Sequence, residues 1–307
     1  MRGIAYDRFG GPDVLTLRDD LPEPPLGPDT VLVRVHAAGV NPVDVGIREG
    51  HLAGAYPHHF PIVPGWDVSG VVEAAGPAVV AFRPGDEVFG YVRRDDVQWG
   101  TTAELVPAPQ RCLAHKPEAL SFAEAGALPL AGLTAYQALT EVLEVGEGDR
   151  VLVHRAAGGV GFFAVQIAAA LGAHVIGTAS PRNHGFLRDA GAAEVLDYSA
   201  GPVSGQLSEP VDAVLDLNGG EALADAPKQV RDVSRVASVV DPSVNDTGGR
   251  YVFVRPERHD LEELGRMADA GQLRVAIAKA FPLERTAEAQ DLVAGGHVRG
   301  KVVVTLR

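Results

Sequence analysis

The chain has 307 residues, 46% of them hydrophobic and 22% charged, with one cysteine and a formal net charge of −13. That length exceeds one small core and points to two domains. The acidity, with no block of Lys or Arg, excludes phosphate-driven nucleic-acid binding and serves solubility; the lone cysteine excludes an intramolecular disulfide and fits a reducing cytoplasm. Cys112 reads as a small core residue. No apolar run is long enough to span a bilayer, and residues 1–8 lack the apolar stretch of a signal peptide. The expectation is a cytoplasmic protein without membrane or nucleic-acid partners.

Residues 1–123 carry short β-rich runs, such as Thr30–His36 and Val68–Glu73, punctuated by Pro22, Pro24, Gly27, Pro28, Gly76, Pro77, Pro84 and Gly85. Short strands between Gly/Pro turns predict a β-rich, barrel-like domain. From Ser121 to Glu141 the pattern turns helical, with Ser121 as N-cap and Glu124 completing a capping box.

Val151–Val153 is a short apolar run. Arg155-Ala-Ala-Gly-Gly-Val-Gly161 is a glycine-rich turn, and Phe162–Leu171 is a long apolar segment. Strand, tight turn and helix follow without a gap. Gly158 and Gly161 occupy the second and third glycine places of a dinucleotide fingerprint, and Ala156 the first. Backbone N–H groups of Ala157, Gly158, Gly159, Val160 and Gly161 are thereby free to approach a pyrophosphate at the helix N-terminus. A second strand (Ala173–Ala179), a helical Arg182–Ala190 and two further runs (Glu194–Tyr198, Val211–Leu217) continue the alternation. This predicts parallel βαβ units in a doubly wound Rossmann sheet over residues 124–265. At the end of the second strand, Thr178–Asn183 holds no carboxylate. Ser180 and Arg182 suit a ribose 2′-phosphate, so NADPH is expected over NADH. The tail reads as helix Glu257–Ala270, a strand near Val275–Ala278, helix Leu283–Ala294 and a last strand from Lys301. Residues from about 266 to 307 are expected to complete the N-terminal domain.

In this order, Gly39-Val-Asn-Pro-Val-Asp44, Pro64-Gly-Trp-Asp-Val-Ser-Gly70, Gly85-Asp-Glu-Val-Phe-Gly90, Leu128-Pro-Leu-Ala-Gly-Leu-Thr-Ala-Tyr136 and Gly296-His-Val-Arg-Gly-Lys301 resemble the medium-chain dehydrogenase/reductase superfamily. Within it the chain is similar to the zinc-independent, zeta-crystallin-like quinone oxidoreductases. The resemblance implies an α/β fold, a Rossmann sheet plus a GroES-like β-rich domain. It also implies a homodimer, for which Val236–Val240 and Tyr251–Val254 would supply edge strands.

The resemblance places further cofactor contacts: Thr134 near the pyrophosphate or nicotinamide, Tyr198 against the adenosine, Asn218 and Gly219 at the nicotinamide ribose, and Arg299 and Lys301 reaching in from the tail. Arg155 stands where Gly or Ala is usual. Zinc-dependent relatives use a Cys near the position of Asn41 and a His-Glu pair after a Pro-Gly; here Asn41 and Trp66-Asp67 stand there, so no catalytic metal is expected.

Without a metal, reduction rests on positioning. The Asn41 amide suits donation to a substrate carbonyl; it also reads as a turn residue before Pro42. Asp44 reads either as a proton acceptor or as a helix cap. Trp66 reads as a wall of the substrate site or as core. The tyrosines usual shortly after the Asn-x-x-Asp are replaced by Gly46 and Leu52, leaving Tyr56 or water as the proton source. The expected activity is NADPH-dependent reduction of a quinone or conjugated carbonyl, a small-molecule substrate. An enoyl or alkene reductase and a non-catalytic NADPH-binding protein remain alternatives.

Overall fold

Glycine and proline turns divide the N-terminal third into short strands: β1 (Gly3–Ala5), β2 (Thr16–Arg18), β3 (Thr30–Val40), β4 (Asp67–Ala75), β5 (Glu87–Tyr91), β6 (Leu105–Pro109) and β7 (Leu113–His115). Helix α1 (Pro42–Arg48) follows β3, and α2 (Phe122–Ala127) follows β7. The middle alternates helix and strand: α3 (Pro129–Gln137), β8 (Arg150–Val153), α4 (Gly159–Ala170), β9 (His174–Thr178), α5 (His184–Arg188), β10 (Glu194–Leu196), β11 (Ala213–Asp216), α6 (Gly220–Gln229), β12 (Val236–Ser238) and β13 (Arg250–Tyr251). The tail adds α7 (Arg258–Asp269), β14 (Ile277–Pro282), α8 (Thr286–Ala294) and β15 (Lys301–Thr305). The structure, a computed structural model, describes residues 1–306.

One unit comprises Met1–Leu130, Pro256–Asp269 and the chain from Val275 onward. Its main sheet runs β14-β15-β3-β4-β5-β7, with β6 also on β3. All of its pairings are antiparallel except β14–β15. The core is a valine-rich cluster that includes Val33, Val68, Val88 and Val106. β15 pairs with β3, Val302 opposite Val40, so the last strand returns to the N-terminal sheet.

The other unit comprises Ala131–Arg255 and Ala270–Arg274. Its six strands are all parallel, in the order β10-β9-β8-β11-β12-β13. This is the doubly wound order, whose strand sequence reverses between β8 and β11 and makes a ligand crevice at their carboxyl ends. Near-continuous apolar strands fit such two-sided burial: Val151, Leu152, Val153, Val214 and Leu215 are all fully buried.

Three expectations are corrected. The division falls at 130/131 rather than 123/124, because α2 is clamped to β3: a Cβ on Gly39 would stand 2.5 Å from the Gly126 carbonyl oxygen. Residues 256–265, expected in the Rossmann domain, belong instead to the β-rich unit, because α7 packs on β7 and sets the Arg258 guanidinium over the Phe82 ring. The Val236–Val240 run is no edge: β12 pairs with β11 on one side and β13 on the other, leaving only the two-residue β13 at that border.

Ser121 caps α2 in the expected reciprocal way, accepting from the Glu124 N–H at 3.3 Å while Glu124 accepts from the Ser121 N–H at 2.9 Å. Among the described residues, no helix is long and apolar enough to cross a membrane.

Candidate active site

In the parallel unit the elbow forms as the sequence predicts. β8 ends at Val153, Gly158 is the N-cap of α4, and Gly161 lies in its first turn. A Cβ on Gly161 would stand 2.6 Å from both Ala156 Cα and the Arg155 carbonyl oxygen, so only glycine lets the helix pack this close to the strand. Two bonds latch the elbow to the end of β9. The Arg155 N–H donates to Thr178 Oγ1 at 3.0 Å and the Ala156 N–H to the Thr178 carbonyl at 3.0 Å. Arg155 itself is left-handed, with φ of 49°, an uncommon backbone for a residue with a side chain.

Beyond Thr178, Ser180 is the N-cap of a 3₁₀ turn at Pro181–Asn183, and Arg182 is exposed on it. The predicted helix therefore begins as a 3₁₀ turn, and its α-helical part is the short α5. Several arginines of this acidic unit hold carboxylates: Arg150 pairs with Glu194, Arg231 with Asp212, Arg235 with Asp149 and Arg255 with Glu141. Arg155 and Arg182 form no ion pair among the described residues. Their charge remains available to an anion at the elbow.

At the switch point, the Asp216 carboxylate accepts from the Asn218 and Gly219 N–H groups, each at 3.1 Å, and from Ser238 Oγ at 2.7 Å. It thereby holds the turn in which Gly219 and Gly220 take φ of 71° and 55°, with Asn218 exposed. Thr134 is buried in α3, Tyr198 is exposed beyond β10, and Arg299 is exposed before β15. The glycine turn, the flanking cations and the open strand ends fit a dinucleotide.

The β-rich unit holds a second cluster. Asn41 begins α1 and is 2% exposed. Its backbone N–H donates to Asp44 Oδ2 at 2.8 Å: the helix begins before Val45, Asn41 is its N-cap, and Asp44 lies inside its first turn as the reciprocal half of a capping box rather than as the cap itself. The Asn41 Nδ2 donates to Asp67 Oδ2 at 2.8 Å, and the Lys301 ammonium donates to Asn41 Oδ1. Asp67 also accepts from the Leu130 N–H at 2.7 Å, and Lys301 Nζ lies 3.8 Å from Asp67 Oδ2. Lys301, expected to reach the cofactor, instead turns inward. β15 pairs with β3, its residue 301 stands beside Val40, and the ammonium is fully committed within the unit.

Burial dominates the titration of this cluster. It pushes the Asp44 carboxyl up to about 7, with the Asn41 N–H opposing. It also raises Asp67 to about 6 and lowers Lys301, while their mutual attraction opposes both shifts. Asp44 Oδ1 has no hydrogen-bond partner. Beside the cluster, the buried Trp66 packs edge-on between Tyr91 at 6.0 Å and the half-buried Tyr56 at 6.3 Å. Trp66 is thus packed among aromatic rings, and Tyr56 is placed next to it.

These donors do not fit zinc. An ammonium stands against Asp67, no thiolate or imidazole joins the cluster, and among the described residues no group of three His, Cys, Asp or Glu side chains could hold a metal. The sequence reading missed Asp67 and Asp216 as organisers of their sites. The available signal was an acid within an apolar strand, since Asp is rarely buried unless paired.

The alcohol dehydrogenase GroES-like domain model matches residues 27–118, and the zinc-binding dehydrogenase model matches residues 190–304. The mitochondrial NAD(P)H oxidoreductase RTN4IP1 of Homo sapiens is 33% identical over all of this chain and 89% of its own length. The chloroplastic NADPH-dependent alkenal/one oxidoreductase of Arabidopsis thaliana is 34% identical over 99% of this chain and 79% of its own. The quinone oxidoreductase from Coxiella burnetii superposes with a TM-score of 0.91 at 36% identity, covering 100% of this chain and 99% of that one.

Proposed function

The chain belongs to the medium-chain dehydrogenase/reductase superfamily, in its quinone oxidoreductase-like branch, and on that premise we infer that this oxidoreductase is a metal-independent, NADPH-dependent reductase of quinones or conjugated carbonyl compounds. The observation that carries the cofactor choice is the elbow at residues 155–161, beside a second strand that ends without a carboxylate and with an unpaired Arg182. A carboxylate there would repel a 2′-phosphate; Arg182 and Ser180 attract one.

Bound NADPH supplies the hydride. The chain's own residues do the rest. Backbone N–H groups of Ala157, Gly159, Val160 and Gly161 hold the pyrophosphate, while that of Gly158 closes the elbow on the Arg155 carbonyl at 3.0 Å. Thr134, Tyr198, Asn218 and Gly219 of the parallel unit line the nucleotide's path. Asn41 donates an amide N–H to the substrate oxygen as negative charge develops on it. The proton that completes reduction comes from Asp44, whose raised pKa keeps a proton near neutrality, from Tyr56, or from water. Trp66 provides an apolar wall. The conjugated-carbonyl half of this reading is favoured by the name of the alkenal/one-reducing relative. We place the enzyme in the cytoplasm, as a homodimer joined through the β13 edge.

The test is NADPH and NADH oxidation with 9,10-phenanthrenequinone, 1,4-benzoquinone and a 2-alkenal. The expected result is turnover with NADPH that is lost in Asn41→Ala. Tight NADPH binding without turnover on any acceptor would instead favour a non-catalytic nucleotide-binding protein.

A further inference from the structure

Asn41 Oδ1 and Nδ2 are nearly the same shape, so packing alone does not select which end of the amide points where; the hydrogen-bond partners do. Here one partner can only donate and the other, when ionised, can only accept. The Lys301 ammonium takes Oδ1, and the Asp67 carboxylate takes one hydrogen of Nδ2. Asp67 is in turn held by the Leu130 N–H at 2.7 Å. Lys301 and Asp67 are 4% and 0% exposed, so neither is diluted by water. Sequence separation makes the arrangement notable: residues 41, 67 and 301 meet only because β3 has β4 on one side and β15 on the other.

We propose that Lys301 is a positioning residue for the Asn41 amide, fixing it in the single orientation that leaves its second Nδ2–H for a substrate oxygen. This rests on the reading of Asn41 given above. The cation also polarises the amide carbonyl, which strengthens the remaining N–H as a donor, because hydrogen bonds in a chain reinforce one another. Lys301 is not a cofactor ligand in this account. Its loss changes the rate of the chemical step and leaves nucleotide affinity alone.

The experiment compares Lys301→Met, the charge-balanced pair Lys301→Met/Asp67→Asn, and Asn41→Ala. Each is read for kcat and KM with a quinone acceptor, for NADPH affinity by fluorescence titration, and for melting temperature. Lys301→Met leaves Asp67 buried without its cation, so its melting temperature falls. The double variant removes that charge and recovers the melting temperature. In both, kcat falls about tenfold to a hundredfold, because a mis-set donor forfeits part of the stabilisation that a complete oxyanion donor supplies. NADPH affinity stays within about twofold of the parent, below the factor a lost charge-assisted contact would cost.

Recovery of kcat together with melting temperature in the double variant would overturn the proposal, because Lys301 would then only neutralise Asp67. So would a loss of NADPH affinity with kcat intact. If Asn41→Ala loses turnover while the double variant keeps it, the positioning role alone falls. If Asn41→Ala itself keeps turnover, the reading of the amide falls, and the role of Lys301 with it.

Discussion

The two units build function by opposite means. In the parallel unit, the nucleotide-binding elbow is one continuous segment whose working parts are backbone N–H groups, missing side chains and exposed cations. In the β-rich unit, the working parts are four polar side chains, Asn41, Asp44, Asp67 and Lys301, all buried and brought together from three places in the chain. An elbow of glycines is sensitive to volume and to salt. A buried ionic cluster is sensitive to pH and to the loss of any one partner, because an unpaired buried charge is costly.

That contrast can be broken at its strongest point first. Asn41→Ala should lower kcat about a hundredfold to a thousandfold in steady-state NADPH oxidation, the range for one lost oxyanion donor, with NADPH affinity unchanged. A variant that lost affinity instead would place Asn41 with the nucleotide. Next, Gly161→Ala puts a Cβ 2.6 Å from two backbone atoms that cannot yield separately. It should abolish NADPH binding in a fluorescence titration and cost about 1–3 kcal/mol of stability by chemical denaturation, the usual penalty of overpacking. Binding at parental strength would show that close strand–helix approach is dispensable.

Arg182→Ala should weaken NADPH by about tenfold and NADH hardly at all, the loss of one exposed charge-assisted contact. The effect should shrink with added salt, because an exposed charge is screened. Equal losses for the two nucleotides would remove the 2′-phosphate assignment.

A last expected effect concerns pH. The Asp44 carboxyl is raised from 3.8 to about 7, chiefly by burial. Between those values the folded chain holds more protons than the unfolded one. Asp44's contribution to stability is therefore full below about pH 4 and is lost as the pH rises through about 7. Asp44→Asn keeps an acceptor for the Asn41 N–H without the charge. The stability difference between parent and variant should accordingly move against the parent by no more than about 1.4 kcal/mol per pH unit over that window. Melting temperatures that run parallel across the window would mean that Asp44 does not titrate there.

How much of this was legible in the chain follows from the same contrast. Gly158 and Gly161 are read at once, because a turn that must do without side chains announces itself locally. The absence of an acid across Thr178–Asn183 is local in the same sense. Lys301 was legible as part of a motif and was misassigned: its position before the last strand is plain, whereas the direction of its side chain depends on which strand β15 joins. Val236–Val240 looked like an edge for a related reason, since β-richness identifies a strand and says nothing of its neighbours.

The residue string by itself determined the βαβ alternation, the glycine elbow, the missing carboxylate and the lack of zinc donors at residues 41 and 66. These depend on side-chain identity and on spacings of a few residues. Tertiary structure alone decided that Lys301 and Asp67 clamp the two ends of the Asn41 amide, that Asp216 holds the 218–220 turn, and that α7 belongs to the β-rich unit. Each joins residues remote in the chain or depends on which side chains burial forces together. Burial also sets how strongly the Asn41 cluster's charges act on one another.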